Sequence, residues 1–324
     1  MVSFWRKLKK PFFVLAPMSD ITDAPFRAII AKYGKFTRPD GTTGGGPDVI
    51  FTEFVSADGL LSEGKEILKK HLIFSEKERP IMAQIFGANP KNIKKAVQII
   101  AELGFDGVDI NMGCPDRKVC KQGAGAELIK NFELAGEIIR VAKEGAGKMP
   151  VSVKTRVGYN KNEIKTWLPA LLKENPDAIT IHARTKKEMS KVLADWGAIA
   201  CAVEIRNDLK SKTLIIGNGD VKNREEGLAR AKETGCDGVM LGRGFFGKPW
   251  LLNEKFNPTL EQKLEILSEH TKLFEEIFGS AKNFAVMKKH FKAYVSGWDG
   301  AKELRTKLME TKNAKEVEEI IKNF

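Results

Sequence analysis

The residues of this chain that first suggest chemistry are a thiol and the glycines that follow it. The stretch "NMGCPDRKVCKQGAGA" (111–126) places Cys114 in a Gly-Cys-Pro turn, directly after the strand-like "GVDINM" and before a basic, glycine-rich loop. Cysteine is often only a small buried hydrophobe. Binding and catalytic groups, however, are usually carried by loops on a rigid scaffold, so this position favours a functional thiol. Cys120, six residues further on, is interpreted as a packing residue.

Two glycine-rich motifs, "IIGNGDV" (215–221) and "VMLGRGFFGKPW" (239–250), predict a phosphate site. Their glycines allow backbone N–H groups to approach an anion closely. The guanidinium of Arg243 can add a bidentate, charge-assisted contact. Such a site fits FMN and a phosphorylated sugar equally well, and the motifs alone leave both open.

Cationic and hydrogen-bonding groups come in pairs on two further strand-like runs. "SVKTRVG" places Lys154 and Arg156 two residues apart, and "IHAR" does the same with His182 and Arg184. Residues two apart on a strand share a face. The four groups suit an anionic cofactor and a phosphate-bearing substrate, whereas the alternative is that they form buried ion pairs with Glu53 or Asp109.

Eight short apolar, β-branched runs must position these residues, and segments of helical spacing separate them. The runs are 12–18, 49–54, 81–86, 107–112, 151–157, 178–184, 213–220 and 238–244. Eight β-α units over about 250 residues predict an α/β fold of the (β/α)₈ TIM-barrel type. A dinucleotide-binding open sheet is less favoured because no GxGxxG motif follows the first run.

Polar side chains stand where these predicted strands end. Barrel enzymes place their chemistry at the C-terminal ends of the strands, so one mouth is expected to collect them. They are Ser19, Glu53, Gln84, Asn111, Lys154, Arg156, His182, Arg184, Asn218, Asp220 and Arg243.

Beyond the barrel the pattern becomes purely helical, which divides the chain into a catalytic domain (1–257) and a small all-helical domain (258–324). Inside the latter, the segment 281–298 has no acidic residue and interleaves aromatics with basic side chains, as phosphates and splayed bases require. An amphipathic helix with outward lysines is the alternative. The basic residues are Lys282, Lys288, Lys289, His290 and Lys292. The Gly-, Thr- and Pro-rich segment 35–48 is expected to be a flexible loop.

The bulk composition indicates a polyanionic partner. Lysine and arginine number 54 against 42 acidic residues, a net charge of +12. An excess of this size is typical of proteins with a polyanionic partner, and a merely lysine-rich surface is the alternative that charge alone leaves open. No run approaches the roughly 18 apolar residues of a membrane span, and the N-terminus does not resemble a signal peptide. The four cysteines show neither CxxC pairing nor zinc spacing. We therefore expect a reduced, cytoplasmic protein without a metal site.

Taken together in order, these motifs resemble the tRNA-dihydrouridine synthases. The resemblance rests on "LAPMSDITDAPFR", "FTEFVSADGL", "AQIFGANP", "DINMGCPDRKVCKQGAGAELI", "VKTRVGY", "ITIHART", "IGNGDV", "LGRGFFGKPW" and the tail "MKKHFKAYVSGWDGAKELRTKLMET". It extends over nearly the whole chain, and the "NMGCP" block is its most specific part. The main departure is the segment 35–48.

The resemblance implies an FMN-dependent oxidoreductase acting on CH–CH groups, which uses NADPH to reduce the C5–C6 double bond of selected tRNA uridines. By this match Cys114 is the general acid that protonates C5, while reduced FMN gives hydride to C6. The implied FMN-binding residues are Pro17, Met18, Gln84, Lys154, His182, Asn218, Gly219, Asp220, Gly242 and Arg243. The implied substrate contacts are Asn111, Arg156, Arg184, Lys118 and Lys121, and the basic segment of the tail adds Lys288, Lys289 and Lys292.

Three other functions stay open from the sequence. An FMN barrel acting on a free pyrimidine, like a dihydroorotate dehydrogenase, would not need a basic helical tail. An RNA-binding barrel without catalysis would not bind flavin, and a sugar-phosphate isomerase would leave Cys114 without a task. The expected partner is tRNA, bound by a monomer; the sequence does not indicate which uridine is reduced.

Overall fold

A computed structural model describes residues 3–324 and contains a closed barrel of eight parallel strands. In chain order the strands are β1 (Phe12–Leu15), β2 (Lys35–Thr37), β3 (Thr43–Gly45), β4 (Val49–Ser56), β5 (Ile81–Phe86), β6 (Gly107–Met112), β7 (Val151–Gly158), β8 (Ala178–Thr185), β9 (Leu214–Asn218) and β10 (Gly238–Leu241). The barrel runs β1-β4-β5-β6-β7-β8-β9-β10, and β10 closes on β1 with Phe12 opposite Gly238. The predicted α/β TIM barrel is confirmed.

Each of the eight predicted runs contains one strand of the barrel, but three of these strands end earlier than predicted. β1 ends at Leu15, β9 at Asn218 and β10 at Leu241. After β9 the backbone leaves the extended region, with positive φ at Gly219 and Asp220. The polar residues that follow these strands therefore lie in turns at the barrel mouth, where the chain bends over the cavity.

The helices enclose the barrel and extend beyond it. They are α1 (Ala24–Tyr33), α2 (Ala57–Leu60), α3 (Lys65–Lys69), α4 (Pro90–Glu102), α5 (Arg117–Lys121), α6 (Phe132–Ala146), α7 (Ile164–Leu172), α8 (Trp196–Asp208), α9 (Arg224–Thr234), α10 (Leu260–Phe278), α11 (Met287–Tyr294), α12 (Ala301–Glu310) and α13 (Ala314–Lys322). At the start of several helices a side chain accepts a hydrogen bond from a backbone N–H group that has no partner within the helix. Each such N-cap fixes where the preceding loop of the mouth ends. The capping residues are Asp23, Asn89, Asn131, Asp195 and Asn223.

The floor of the barrel is filled by an aromatic residue from the N-terminal segment. A 3₁₀ turn over Phe4–Lys7 inserts Trp5, which is 1% exposed, beneath β1. Its ring centroid lies 5.7 Å from that of Phe12, and Phe51 and Met82 belong to the same interior cluster. The mouth is therefore at the opposite end, where the strands point.

The segment 35–48, which the sequence predicts to be a flexible loop, instead contains the antiparallel hairpin β2–β3, with Lys35 opposite Gly45. The prediction is wrong because the glycines here supply backbone geometry rather than flexibility. Gly41 turns the hairpin with a φ of 79°. Gly45 has a φ of 75° and packs so closely on Gly34 that a Cβ would collide with its carbonyl oxygen.

The C-terminal region is helical, as predicted, and shares its core with the barrel. α10 begins after a capping box formed by Thr259 and Gln262. The apolar cluster among α10–α13 includes Ile29 from α1 and Trp250 from the segment after β10. The division of the chain at residue 257 stays a prediction, because this packing is continuous across it.

Buried ion pairs also join the tail to the barrel mouth. The ammonium of Lys282 lies 3.3 Å from Asp23 Oδ2, 3.6 Å from Glu53 Oε2 and 3.7 Å from Asp20 Oδ1, and its side chain is 11% exposed. Burial raises the pKa of Asp23 to about 6, although Lys282 opposes the shift. The prediction that Lys282 faces RNA phosphates is therefore wrong, because this lysine is occupied by three carboxylates.

Two fully buried histidines lie between α1 and the tail. The rings of His270 and His290 are 4.5 Å apart, and Phe26 packs against both. Their nitrogens have no hydrogen-bond partner within residues 3–324. Burial, with Lys282 and Lys289 nearby, lowers the pKa of His290 to about 3, and burial also lowers the pKa of His270 well below its usual value. His290 is thus neutral and does not belong to the basic surface that the sequence predicts.

This neutral pair makes stability depend on pH. A histidine whose pKa is depressed on folding stabilises the fold fully above its unfolded pKa near 6.5, and the contribution is lost as pH falls from there toward 3. At pH 5 the buried, neutral His290 lowers the free energy of unfolding by about 2 kcal/mol relative to pH values well above 6.5. We expect His290→Phe to reduce the drop in unfolding free energy between pH 8 and pH 5 by about that amount, as measured by urea titration at both pH values. A drop in unfolding free energy that is the same in His290→Phe and wild type would contradict the conclusion that His290 is neutral in the folded protein.

Candidate active site at the barrel mouth

The mouth contains a cavity of about 1010 Å³, in which most of the residues singled out from the sequence meet. Its walls include all ten residues predicted to bind the cofactor: Pro17, Met18, Gln84, Lys154, His182, Asn218, Gly219, Asp220, Gly242 and Arg243. Cys114 lines the same cavity, together with Asn111, Arg156 and Arg184. The volume is at the upper end of the range typical of ligand pockets. The roles of these residues stay predictions, but their convergence is a property of the structure.

A directed chain of hydrogen bonds runs from the barrel interior to the thiol loop. Buried Asp109 accepts from Ser152 Oγ (2.5 Å) and Gln84 Nε2 (2.7 Å). Gln84 Oε1 accepts in turn from Asn111 Nδ2 (3.0 Å). Asn111 Oδ1 then accepts the backbone N–H groups of Gly113 (3.1 Å) and Cys114 (2.8 Å). The two side-chain amides therefore fix the turn that carries the thiol.

The thiol of Cys114 lies in a partly apolar environment. It packs against the cluster that contains Phe54, Phe86 and Val119. Burial raises its pKa above the ordinary cysteine value, an effect that Arg156 opposes only weakly. The protonated thiol is therefore favoured at neutral pH. Such a group can donate a proton, but it is a poor nucleophile.

Positive charge accumulates on the adjoining wall (the cationic wall), where Lys154, Arg156 and Arg184 extend from β7 and β8 next to the strand that carries the thiol turn. Burial, followed by repulsion from Arg156, lowers the pKa of Lys154 to about 8, and the Lys154 ammonium is 3.3 Å from Asn218 Oδ1. Burial and the surrounding cations lower the pKa of His182 to about 2, so its imidazole is neutral. Among residues 3–324, Lys154 forms no salt bridge within 4.0 Å. A buried ammonium without a carboxylate is a good partner for an anionic or oxygen-rich ligand.

Arg156 and Arg184 reach the cavity wall but bind mainly to the protein itself. Arg156 donates to the carbonyls of Gly113 (2.7 Å) and Met189 (3.1 Å), which ties the thiol turn to the loop after β8. Arg184 donates to the carbonyl of Val192 (2.7 Å) and to the carboxylate of Asp220. Their donors thus position two mouth loops. Direct substrate contact by these arginines stays a prediction.

The phosphate motifs end in an ion-paired turn. Asp220 accepts from Arg243 (2.7 Å) and from the backbone N–H of Ala194 (2.9 Å). The side chain of Arg243 is otherwise exposed at the rim of the cavity. At Gly242 a Cβ would lie 3.1 Å from Met18 Sδ, so a larger residue would crowd this wall. A wall in which Lys154 and Arg156 have no carboxylate partner among residues 3–324, a glycine-lined turn and sufficient volume together fit a phosphate-bearing flavin.

The predicted RNA-facing lysines lie outside the cavity. Lys118 and Lys121 are exposed on α5, beside the thiol turn. On α11, Lys289 and Lys292 are exposed and Lys288 is partly exposed, while Met287, Phe291 and Tyr294 face the core. Lys289 is 3.4 Å from Asp20, whereas Lys288 and Lys292 form no ion pair with any residue in 3–324. α11 is therefore an amphipathic helix with outward lysines, and the contact of these lysines with RNA stays a prediction.

Sequence reasoning missed two features of this site. It considered Asp109 only as an ion-pair partner, whereas its position two residues before Asn111 on β6 puts both side chains on one face of the strand. It also gave no role to the loop after β8, although Val192 and Leu193 line the cavity. No motif signals either feature, because both depend on which groups the fold brings together.

The fold and the mouth define a (β/α)₈-barrel protein with a cationic cavity and a protonated thiol at its edge. Comparison with known proteins makes this specific. The family model described as dihydrouridine synthase matches residues 14–324. The chain belongs to the dihydrouridine synthase family.

Curated relatives match over almost the full length. The chain is 40% identical to a probable tRNA-dihydrouridine synthase 2 of Bacillus subtilis (strain 168), over 99% of this chain and 96% of the relative. It is 39% identical to a probable tRNA-dihydrouridine synthase of Staphylococcus aureus (strain MRSA252), over 99% and 95%. These matches are consistent with the resemblance found in the sequence motifs.

Solved structures share the barrel with this chain. A morphinone reductase mutant in complex with tetrahydroNAD aligns with a TM-score of 0.51 at 13% identity, over 74% of this chain and 85% of that one. Histamine dehydrogenase from Rhizobium sp. 4-9 aligns with a TM-score of 0.53 at 14% identity, over 81% and 48%. At these identities the likeness establishes the fold alone.

The raised pKa of Cys114 can be measured directly. In a variant with Cys120 and Cys201 replaced by serine, the rate of Cys114 alkylation by iodoacetamide should rise with pH as the thiolate forms. Because burial favours the neutral thiol, the midpoint should be higher in the folded protein than in the same variant unfolded in urea. Mass spectrometry of the Cys114 peptide gives the rate. A midpoint below that of the unfolded chain would show that the cations of the mouth outweigh burial.

Proposed function

We propose that this protein is an FMN-dependent tRNA-dihydrouridine synthase that uses NADPH to reduce the C5–C6 double bond of uridine. The observation that carries the proposal is the position of the Cys114 thiol, which lines the same cavity as the cationic wall and is kept protonated by burial. Reduction of the double bond needs a hydride at C6 and a proton at C5. The printed names of the relatives supply the substrate class.

The cationic wall and the phosphate turn would hold the cofactor. Arg243 and the backbone beside Gly219 and Gly242 would bind the phosphate, while Lys154 and Gln84 would meet the polar edge of the ring system. When bound, reduced FMN supplies the hydride. Neutral His182 can donate or accept a hydrogen bond without adding charge, because the neighbouring cations disfavour its protonation.

The thiol turn would supply the proton. Cys114 stays protonated near neutral pH and would transfer its proton to C5 as general acid, leaving a thiolate beside the Arg156 guanidinium. Asn111 uses its side-chain oxygen on the turn and one N–H of its amide on Gln84, so it would hold the thiol in position, and its contact with the substrate stays a prediction. A uridine inside a stack is out of reach, so the base must be splayed out into the mouth.

Basic surfaces beside the mouth would bind the RNA. The chain has a net charge of +12, and exposed lysines flank the thiol turn on α5 and cover the outer face of α11. Phosphate contacts of this kind position a nucleic acid without reading its sequence. We place this reaction in the cytoplasm and expect a monomer to bind one tRNA. No helix within residues 3–324 combines the length and apolar character needed to cross a membrane.

The role of Cys114 is tested by separating the two half-reactions. Purified wild-type protein should carry FMN that NADPH reduces, and Cys114→Ala should leave that step largely intact. Dihydrouridine formation in tRNA should fall by roughly 10²-fold or more, the scale expected for loss of a general acid. Cys120→Ala, in the same loop, is the matched control and should stay active. Equal loss of both half-reactions would make Cys114 structural, and a protein that binds no FMN would refute the cofactor assignment.

The role of the α11 lysines is tested by the salt dependence of binding. Replacing Lys288 and Lys292 by glutamine should weaken the binding of different tRNAs similarly. It should also flatten the slope of log affinity against log salt by about 0.7–0.9 for each lost phosphate contact. Lys210→Gln with Lys212→Gln, at the opposite end of the barrel, makes the same change in charge. If the two double variants alter the slope of log affinity against log salt equally, α11 is not a specific phosphate-binding surface.

A further inference from the structure

The first eight residues of the loop between β8 and α8 (186–193, the rim loop) expose large apolar side chains at the edge of the mouth. Leu193 is 87% exposed, the highest value for a large apolar residue in 3–324, while Val192 is 47% and Met189 is 46% exposed. Single exposed apolar residues are ordinary, but a contiguous group marks an interaction site. Three of the five residues 189–193 are exposed and apolar, and they form such a group.

The exposure is built into the loop rather than caused by loose packing. Arg156 donates to the Met189 carbonyl and Arg184 to the Val192 carbonyl, so two buried guanidinium groups hold the backbone. Met189 has a φ of 55°, which is costly for a residue other than glycine and persists only when its surroundings determine it. These contacts hold the loop backbone in the conformation that exposes the apolar side chains.

The composition of the rim loop points to a nucleic acid. Lys187 and Lys191 are exposed among the apolar side chains. Ammonium groups suit phosphates, and apolar side chains suit base faces that have lost a stacking neighbour. Val192 and Leu193 also line the cavity that contains Cys114. When a base turns into this cavity, the position that it vacates in the RNA stack therefore lies beside these two side chains.

We propose that the rim loop is a wedge that fills the gap left in the RNA stack by the uridine that turns into the mouth. Leu193 and Val192 contact the bases on either side of the gap, and Lys187 and Lys191 contact the adjacent phosphates. This inference rests on the proposed function. In this proposal the rim loop stabilises the RNA conformation in which the uridine is splayed out, and it takes no part in cofactor binding or proton transfer.

The test uses Leu193→Ser and unmodified tRNA transcripts. Affinity for tRNA and the single-turnover rate of dihydrouridine formation should each be measured, with a combined loss of roughly tenfold or more, as expected when the burial of one leucine side chain against a base is lost. Flavin content and flavin reduction by NADPH should equal those of wild type. Leu193→Met keeps an apolar side chain and should retain most of the activity. Leu209→Ser removes a 54%-exposed leucine from α8's far end and should have no effect.

A short single-stranded oligonucleotide containing uridine provides a second readout. The bases of this oligonucleotide form no stable stack in which a gap must be filled, so wild type and Leu193→Ser should reduce its uridine at equal rates. Full activity of Leu193→Ser on tRNA, or an equal loss on tRNA and oligonucleotide, would overturn the wedge. Reduced flavin retention would instead make Leu193 a cover for the cofactor. A wild-type protein that forms no dihydrouridine would refute the proposed function itself, which is a different outcome.

Discussion

The mouth depends on the fact that a buried carboxylate can only accept hydrogen bonds. Asp109 therefore forces Gln84 to present its amide nitrogen inward and its oxygen toward Asn111, which fixes the amide of Asn111 in turn. The direction of each bond follows from the one before, and the last acceptor holds the turn of Cys114. Reversing any amide would place two donors or two acceptors face to face, a costly arrangement inside a protein. Burial raises the pKa of Asp109 to about 6, and the two donated hydrogen bonds favour its ionised form.

The cationic wall follows a second constraint, the cost of burying charge. Arg156 and Arg184 reduce that cost by donating to backbone carbonyls, and His182 avoids it by staying neutral. Lys154 keeps only the amide oxygen of Asn218 within hydrogen-bonding distance. The barrel thus pairs the groups that shape its loops and leaves Lys154, which lines the cavity, without a carboxylate partner among residues 3–324. A buried ammonium of this kind differs from the two arginines, whose donors are used to hold the mouth loops.

The sequence predicted the barrel, its eight strands and the convergence of polar strand ends, because a covered parallel sheet has a strong apolar signature. It failed where a residue's role depends on distant partners. Lys282 and His290 look basic in a segment without acids, yet one pairs with carboxylates of the barrel and the other is buried against Phe26. Glycines of the segment 35–48 suggested flexibility but form a hairpin. The exposure of Leu193 carries no sequence signal, since apolar residues usually indicate a core.

The sealed floor of the barrel has a kinetic consequence. With Trp5 closing the end beneath β1, the cavity described here opens at the mouth, on the side of the strand ends. Under the function proposed above, the nicotinamide and the RNA would both reach the flavin through this one opening, so their binding would be mutually exclusive. Reduction of the flavin and reduction of the uridine would then be separate half-reactions, with the reducing equivalent kept on the flavin between them. Each reactant would compete with the other for the opening at high concentration.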